Sequence, residues 1–151
     1  MGLFGLGKVP SKPLRLMAQE ADDLPAISAL VQDAALRAGD LSYDPAGRHF
    51  TLRMNRFCHE AAKGVPLRAP SVLRISCVTS VRMRGLDIKQ TSLPLSLLDI
   101  GVEPLAPPAV ALILRFAGAS QRDVRIETEC VDVLLLDLAA PRRAKSMPEH
   151  F

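Results

Sequence analysis

Between residues 71 and 84 apolar and polar side chains alternate with a period of two. Leu73, Ile75, Cys77, Thr79, Val81 and Met83 fall on one side, and Arg74, Ser76, Ser80 and Arg82 on the other. Successive side chains of a strand point to opposite faces, so the run reads as one long strand with a dry face and a wet face. Such a strand belongs to an antiparallel sheet, because a parallel sheet buries both of its faces. A doubly wound α/β fold is disfavoured because helices do not alternate with strands along the chain.

Weaker copies of the pattern surround it. Residues 14–18 make a short strand. Residues 41–43 and 49–57 form a hairpin about Asp44-Pro-Ala-Gly47, with Phe50, Leu52 and Met54 facing one way and Thr51, Arg53 and Asn55 the other. Segments 95–102, 110–116 and 122–130 continue the series, and Gly118-Ala-Ser-Gln121 supplies a turn between the last two. One helix is expected. Asp22 and Asp23 offer N-caps, Pro25 sits in the first turn, and Leu24, Ile27, Leu30, Val31 and Ala34 recur at helical spacing until Gly39 ends it. Residues 131–138 suit either a helix, through Val131, Leu134, Leu135 and Leu138, or a strand. The break in alternation at Asp132 tips the reading toward a helix.

The expected class is therefore α+β: a curved, mainly antiparallel sheet of about seven strands, an N-terminal helix and a C-terminal helix. The alternative is a partly closed barrel similar in outline to pleckstrin-homology-like domains. A chain of 151 residues supports one hydrophobic core. Residues 1–13, rich in Gly and Pro, read as a flexible tail, 14–140 as a single globular domain, and 141–151 as a basic C-terminal tail. With one Tyr, five Phe and no Trp, the core must be filled by aliphatic side chains.

No stretch reaches the about 18 apolar residues needed to span a bilayer, so no membrane is expected. Three cysteines, Cys58, Cys77 and Cys130, are widely spaced without a C-x-x-C pair, which argues for the cytoplasm over a disulfide-built secreted scaffold. Charge is uneven: residues 37–90 carry ten basic and four acidic groups. That basic middle is the feature able to draw an anionic partner.

Motifs for chemistry are sparse. Gly2 to Lys8 nearly spells a phosphate-binding loop, but Val9 replaces the hydroxyl residue and Pro10 obstructs the helix such a loop requires. Cys58-His59-Glu60 holds three metal-capable side chains, yet on a strand His59 diverges from its neighbours. No metal and no cofactor are expected. There is no G-x-S-x-G elbow, and Cys77 and Cys130 take inward strand positions where thiols are inert. The arginines say more. Arg53, Arg74, Arg82 and Arg84 share polar strand faces with Asn55, and Arg56 lies close by, so together they can grip phosphates or carboxylates. Scarce aromatic stacking residues argue against nucleic acid.

Leu14-Arg-Leu, Ala21-Asp-Asp-Leu-Pro-Ala-Ile-Ser28 with Leu30-Val-Gln-Asp33, Arg48-His-Phe-Thr-Leu-Arg-Met-Asn-Arg-Phe57 and the closing Pro148-Glu-His150 form a characteristic set. The chain resembles a bacterial family of short, stand-alone cytoplasmic proteins built on a domain of unknown function. That resemblance implies a compact single domain and carries no activity, cofactor or catalytic residue.

The function expected from the residues is a non-enzymatic binding or accessory domain that contacts an anionic small molecule or a protein through its basic sheet face. The alternative is a small-molecule enzyme whose site assembles near Asn55 and Arg56 from separated residues, including His49 and His59.

Overall fold

A computed structural model describes residues 12–60, 64–87, 89–118 and 121–144. The Gly2–Lys8 run, most of the N-terminal tail and the chain from Lys145 onward lie outside the described residues. The chain enters as β1 (Arg15–Ala18), which a tight turn (Ala21–Asp23) joins to helix α1 (Leu24–Val31). The Asp23 carboxylate accepts the backbone N–H groups of Gln19 and Glu20 at 3.2 Å each, and Pro25 stands in the first turn. Leu24, Ile27 and Val31 are buried on the helix face that packs against the sheet.

The helix is shorter than its apolar spacing predicts. It stops at Val31, and Asp33 takes the left-handed conformation (φ 68). That turn lets Asp33 N–H donate to the Leu97 carbonyl (2.8 Å) while Ala34 accepts from Leu97 N–H (3.0 Å). Residues 35–37, read as helix, are instead strand β2 (Ala35–Arg37), with Leu36 buried in the core. Tertiary pairing outweighs a local helical preference here.

Beyond a second tight turn the hairpin forms as its sequence predicts: β3 (Leu41–Asp44) pairs with β4 (His49–Phe57), and the Asp44 carboxylate accepts Gly47 N–H at 3.1 Å. Then follow β5 (Leu67–Ile75), β6 (Val78–Arg84), β7 (Pro94–Pro104), β8 (Val110–Phe116), β9 (Arg122–Thr128), β10 (Val133–Asp137) and β11 (Arg142–Arg143). Every strand pairing is antiparallel. The spatial order is β1-β10-β5-β4-β2-β7-β8-β9-β6, with β3 added on β4 and β11 on β5. The path is open, ending at β1 and β6, so the sheet is not a closed barrel.

Three features separate these eleven strands from the seven expected. Residues 71–84 are two strands, broken at Ser76-Cys77, where Cys77 has φ 60. A second irregularity passes over Thr79, so Val78, not Cys77 or Thr79, enters the core, and Val81 and Met83 resume the inward phase. Residues 133–137 are strand, not helix. β10 lies between β1 and β5, with Val133 and Leu135 in the core and Leu134 and Leu136 half-buried on the outer face, so its apolar run is near-continuous and mimics helical spacing. Finally, β2 and β11 were not anticipated.

β5 runs through its corner into β6, and β9 through its own corner into β10. The two runs stay paired, with Glu129 N–H on the Cys77 carbonyl (3.0 Å) and Ser76 N–H on the Asp132 carbonyl (2.9 Å). This long ribbon folds the sheet into two sections around one aliphatic core. Phe50, Leu52, Leu73 and Leu135 enter that core from one section, and Leu97, Leu112, Leu114 and Ile126 from the other.

Candidate functional site

Two polar constellations stand out, one on the outside of the sheet and one inside it. The outer one covers β1, β10, β5 and β4. Cross-strand register sets Arg15, Leu136, Val72 and Arg53 in one row and Met17, Leu134, Arg74 and Thr51 in the next. Arg15, Arg53 and Arg74 are exposed, whereas Leu134, Leu136 and Val72 are half-buried, and Met17 keeps 52% of its surface in solvent. Arg53 and Arg74 are diagonal neighbours on adjacent strands, within reach of a single ligand. Neither they nor Arg15 form an ion pair among the described residues.

Arg82 and Arg84 do not join them. They project from the other section, where Arg82 faces Arg125 and Arg84 faces Asp123. Arg84 Nη2 donates to Asp123 Oδ2 at 2.5 Å, which raises its pKa. Around it Arg125 bridges Glu103 (3.0 Å) and Glu127 (3.1 Å), and Arg115 pairs with Asp99. In that section Arg84, Arg115 and Arg125 are neutralised by acids among residues 91–151, whereas Arg82 forms no ion pair among the described residues. Asn55 is exposed opposite Pro70, and its carbonyl accepts Arg68 Nη1 at 2.8 Å.

Arg56 corrects the expectation most sharply. It is fully buried, in phase with Phe50, Leu52 and Met54 on the inward face of β4. Its guanidinium is held by two carboxylates. Nε and Nη2 donate to Asp137 Oδ1 (3.0 Å) and Oδ2 (2.9 Å), and Nη1 and Nη2 to Glu60 Oε1 (2.9 Å) and Oε2 (2.7 Å). Asp137 is buried too, and it accepts further bonds from Ser71 Oγ (2.6 Å) and Leu14 N–H (2.9 Å). Burial opposes charge on both partners, but these bonds outweigh it, so the Asp137 carboxyl lies below its usual range and the Arg56 guanidinium is raised. Glu60, a third exposed at its side chain, is likewise lowered by Arg56 against the opposing effect of burial.

The Cys58-His59-Glu60 run thus splits three ways. Burial pushes the Cys58 thiol up to about 11, so it stays protonated. His59 Nε2 donates to the Gln32 carbonyl at 2.7 Å, its ring edge-on to Phe57. His49 stands at the opposite end of β4, so the histidines, Asn55 and Arg56 do not converge on one site. No group of three or more His, Cys, Asp or Glu that could hold a metal occurs among the described residues.

Arg15, Ser71, Glu60 and Asp137 were not foreseen as site residues. The signal for the buried set was phase: Ser71 alternates inward with Leu73 and Ile75, and Asp137 inward with Val133 and Leu135. A charged residue on the dry side of a strand needs a partner on the dry side of its neighbour.

Fold and site together define an α+β domain of open antiparallel sheet, with an internal ion cluster and an arginine-rimmed outer face. Among the described residues, no helix is long and apolar enough to cross a membrane. The chain belongs to the DUF2948 family, proteins of unknown function, whose family model matches residues 14–150. No curated protein and no solved structure matches it.

Proposed function

We propose that this is a non-catalytic binding domain whose outer face on β1, β10, β5 and β4 docks an acidic protein segment. The observation that carries the reading is the row geometry: exposed Arg53 and Arg74 on one side and Arg15 on the other, all without ion-pair partners among the described residues, border Val72, Leu134 and Leu136. Guanidinium groups bind carboxylates with planar, two-point geometry. The apolar stripe beside Arg53 and Arg74, with Val72, Leu134 and Leu136 running toward Arg15, favours a protein over a free anion, since a protein offers apolar side chains at the same spacing as its acids. The second section supports this by contrast, because most of its arginines already hold acids of the chain itself.

A fluorescent peptide of alternating Glu and Leu tests the reading by anisotropy. The native chain is expected to bind it, with affinity falling as NaCl is raised. Arg53→Glu with Arg74→Glu should weaken binding at least tenfold, with circular dichroism unchanged. Arg82→Glu, on the other section, should leave it unaltered. Equal binding by the double variant, or an equal loss from Arg82→Glu, would sink the proposal.

A further inference from the structure

The corner that joins the two sheet sections brings two thiols together. Cys77, held left-handed at φ 60, ends the passage from β5, and Cys130 lies in the passage from β9 to β10. The strand passages are pinned by the Glu129 N–H bond to the Cys77 carbonyl (3.0 Å) and the Ser76 N–H bond to Asp132 (2.9 Å). This backbone pairing sets Cys77 and Cys130 as near neighbours on adjacent strand passages. Both are half-buried and free, not sealed in the core positions their alternation predicts.

Cys130 is also within reach of solvent-borne reagents. It lines an open groove of about 330 Å³ whose other walls include Gln19, Glu20, Pro107, Pro108 and Ala109. Beside both thiols stands the Arg48 guanidinium, itself paired with Glu129 at 2.8 Å. The Cys77 thiol is held above its ordinary range by its neighbour Cys130 and by burial, with Arg48 opposing, which suits it to the resolving step and not to the first attack. Cys58 is the internal contrast: 3% exposed, its thiol pushed up to about 11 by burial, and packed with Leu67 and Ala69.

We propose that Cys77 and Cys130 form a dithiol site that undergoes exchange with low-molecular-weight disulfides and closes to a reversible intramolecular disulfide. The Cys130 thiolate attacks one sulfur of the small disulfide. A mixed disulfide forms, the S–S bond of the reagent breaks, and the departing thiolate takes up a proton. The Cys77 thiol then gives its proton to solvent and attacks the Cys130 sulfur, releasing the second small thiolate, which is protonated in turn. Two protein thiols are oxidised and one small disulfide is reduced to two thiols. The new bond joins the β5–β6 corner to the β9–β10 corner across passages whose backbones are already paired.

The test incubates the full chain with oxidised glutathione, then alkylates it under denaturing conditions and weighs it. The expected product has lost two hydrogens, carries no glutathione, and keeps one alkylatable thiol, which peptide mapping places at Cys58. Dithiothreitol should restore all three thiols. Cys77→Ser should instead retain one glutathione on Cys130, because the resolving thiol is gone. Three alkylated cysteines after treatment, a crosslink that includes Cys58, or no adduct on Cys130 in the Cys77→Ser chain would each overturn the proposal.

Discussion

Arg56 has no exposed surface and two carboxylates on its guanidinium, one of which, Asp137, is itself buried. Breaking a buried pair costs about 3–5 kcal/mol where it leaves the other charge uncompensated, and the cost falls to about the lower end of that range here because Glu60 still holds Arg56. Asp137→Asn should therefore lower unfolding stability by about that much, more than Ser71→Ala, which removes one hydrogen bond and should cost about 1–3 kcal/mol. Both are read from chemical denaturation. The pH dependence has a definite sign. Asp137 and Glu60 have folded pKa values below those of the unfolded chain. Their contribution is complete above the ordinary carboxylate range, about pH 4, and disappears as pH falls through the lower folded values. Arg56 stays charged throughout, so acid removes the acceptors and not the donor. The Asp137→Asn chain should consequently lose less stability than the native chain between neutral pH and the acid limit. An identical acid slope in both would show that the cluster contributes nothing to the linkage.

At the scale of elements, what could be read in the sequence followed how local the determining interaction is. The β3–β4 hairpin was legible because its turn, Asp44-Pro-Ala-Gly47, fixes it within a few residues. β8 and β9 were legible from alternation alone. β10 was not, since Leu134 and Leu136 become strand residues only between β1 and β5, partners more than fifty residues away. β2 was hidden in the same way, its Ala35, Leu36 and Arg37 pairing with distant β4 and β7. Of the arginines, polarity was readable and direction was not: nothing near Arg56 announces Asp137, eighty-one residues on. The end of β6 allows a local check. Gly85 takes φ +72, and a Cβ there would run into the Gln121 carbonyl just before β9. A left-handed non-glycine residue that also clashes with backbone should cost about 2–4 kcal/mol. Gly85→Ala should show that loss in thermal and denaturant unfolding, whereas Gly64→Ala, with open space around its Cβ site, should lose only the smaller conformational penalty. Equal losses in the two variants would refute the part assigned to the β6–β9 contact.

For the whole molecule, the decisive feature is that the two sheet sections are not separable. The β5–β6 run and the β9–β10 run each pass from one section to the other while remaining paired, and most of the buried apolar side chains of both sections belong to one contiguous core, with Cys58, Leu67 and Ala69 in a small cluster of their own. Neither section can bury its inner face without the other, so a state with one half folded would expose much of the core that stabilises it. Unfolding should then be a single transition despite the two-section appearance. Leu73, wholly buried in the first section, and Ile126, wholly buried in the second, provide the comparison. Leu73→Ala and Ile126→Ala should each cost about 2–5 kcal/mol. Each should shift one common denaturant midpoint without altering the slope, because the surface exposed on unfolding is the same for both. Hydrogen exchange should show amides of β4 and β8 losing protection together in either variant. If Ile126→Ala released β7–β9 while β4 and β5 kept native protection, the sections would be independent units, and the corner at Cys77 and Cys130 would be a hinge between them instead of a continuous stretch of sheet.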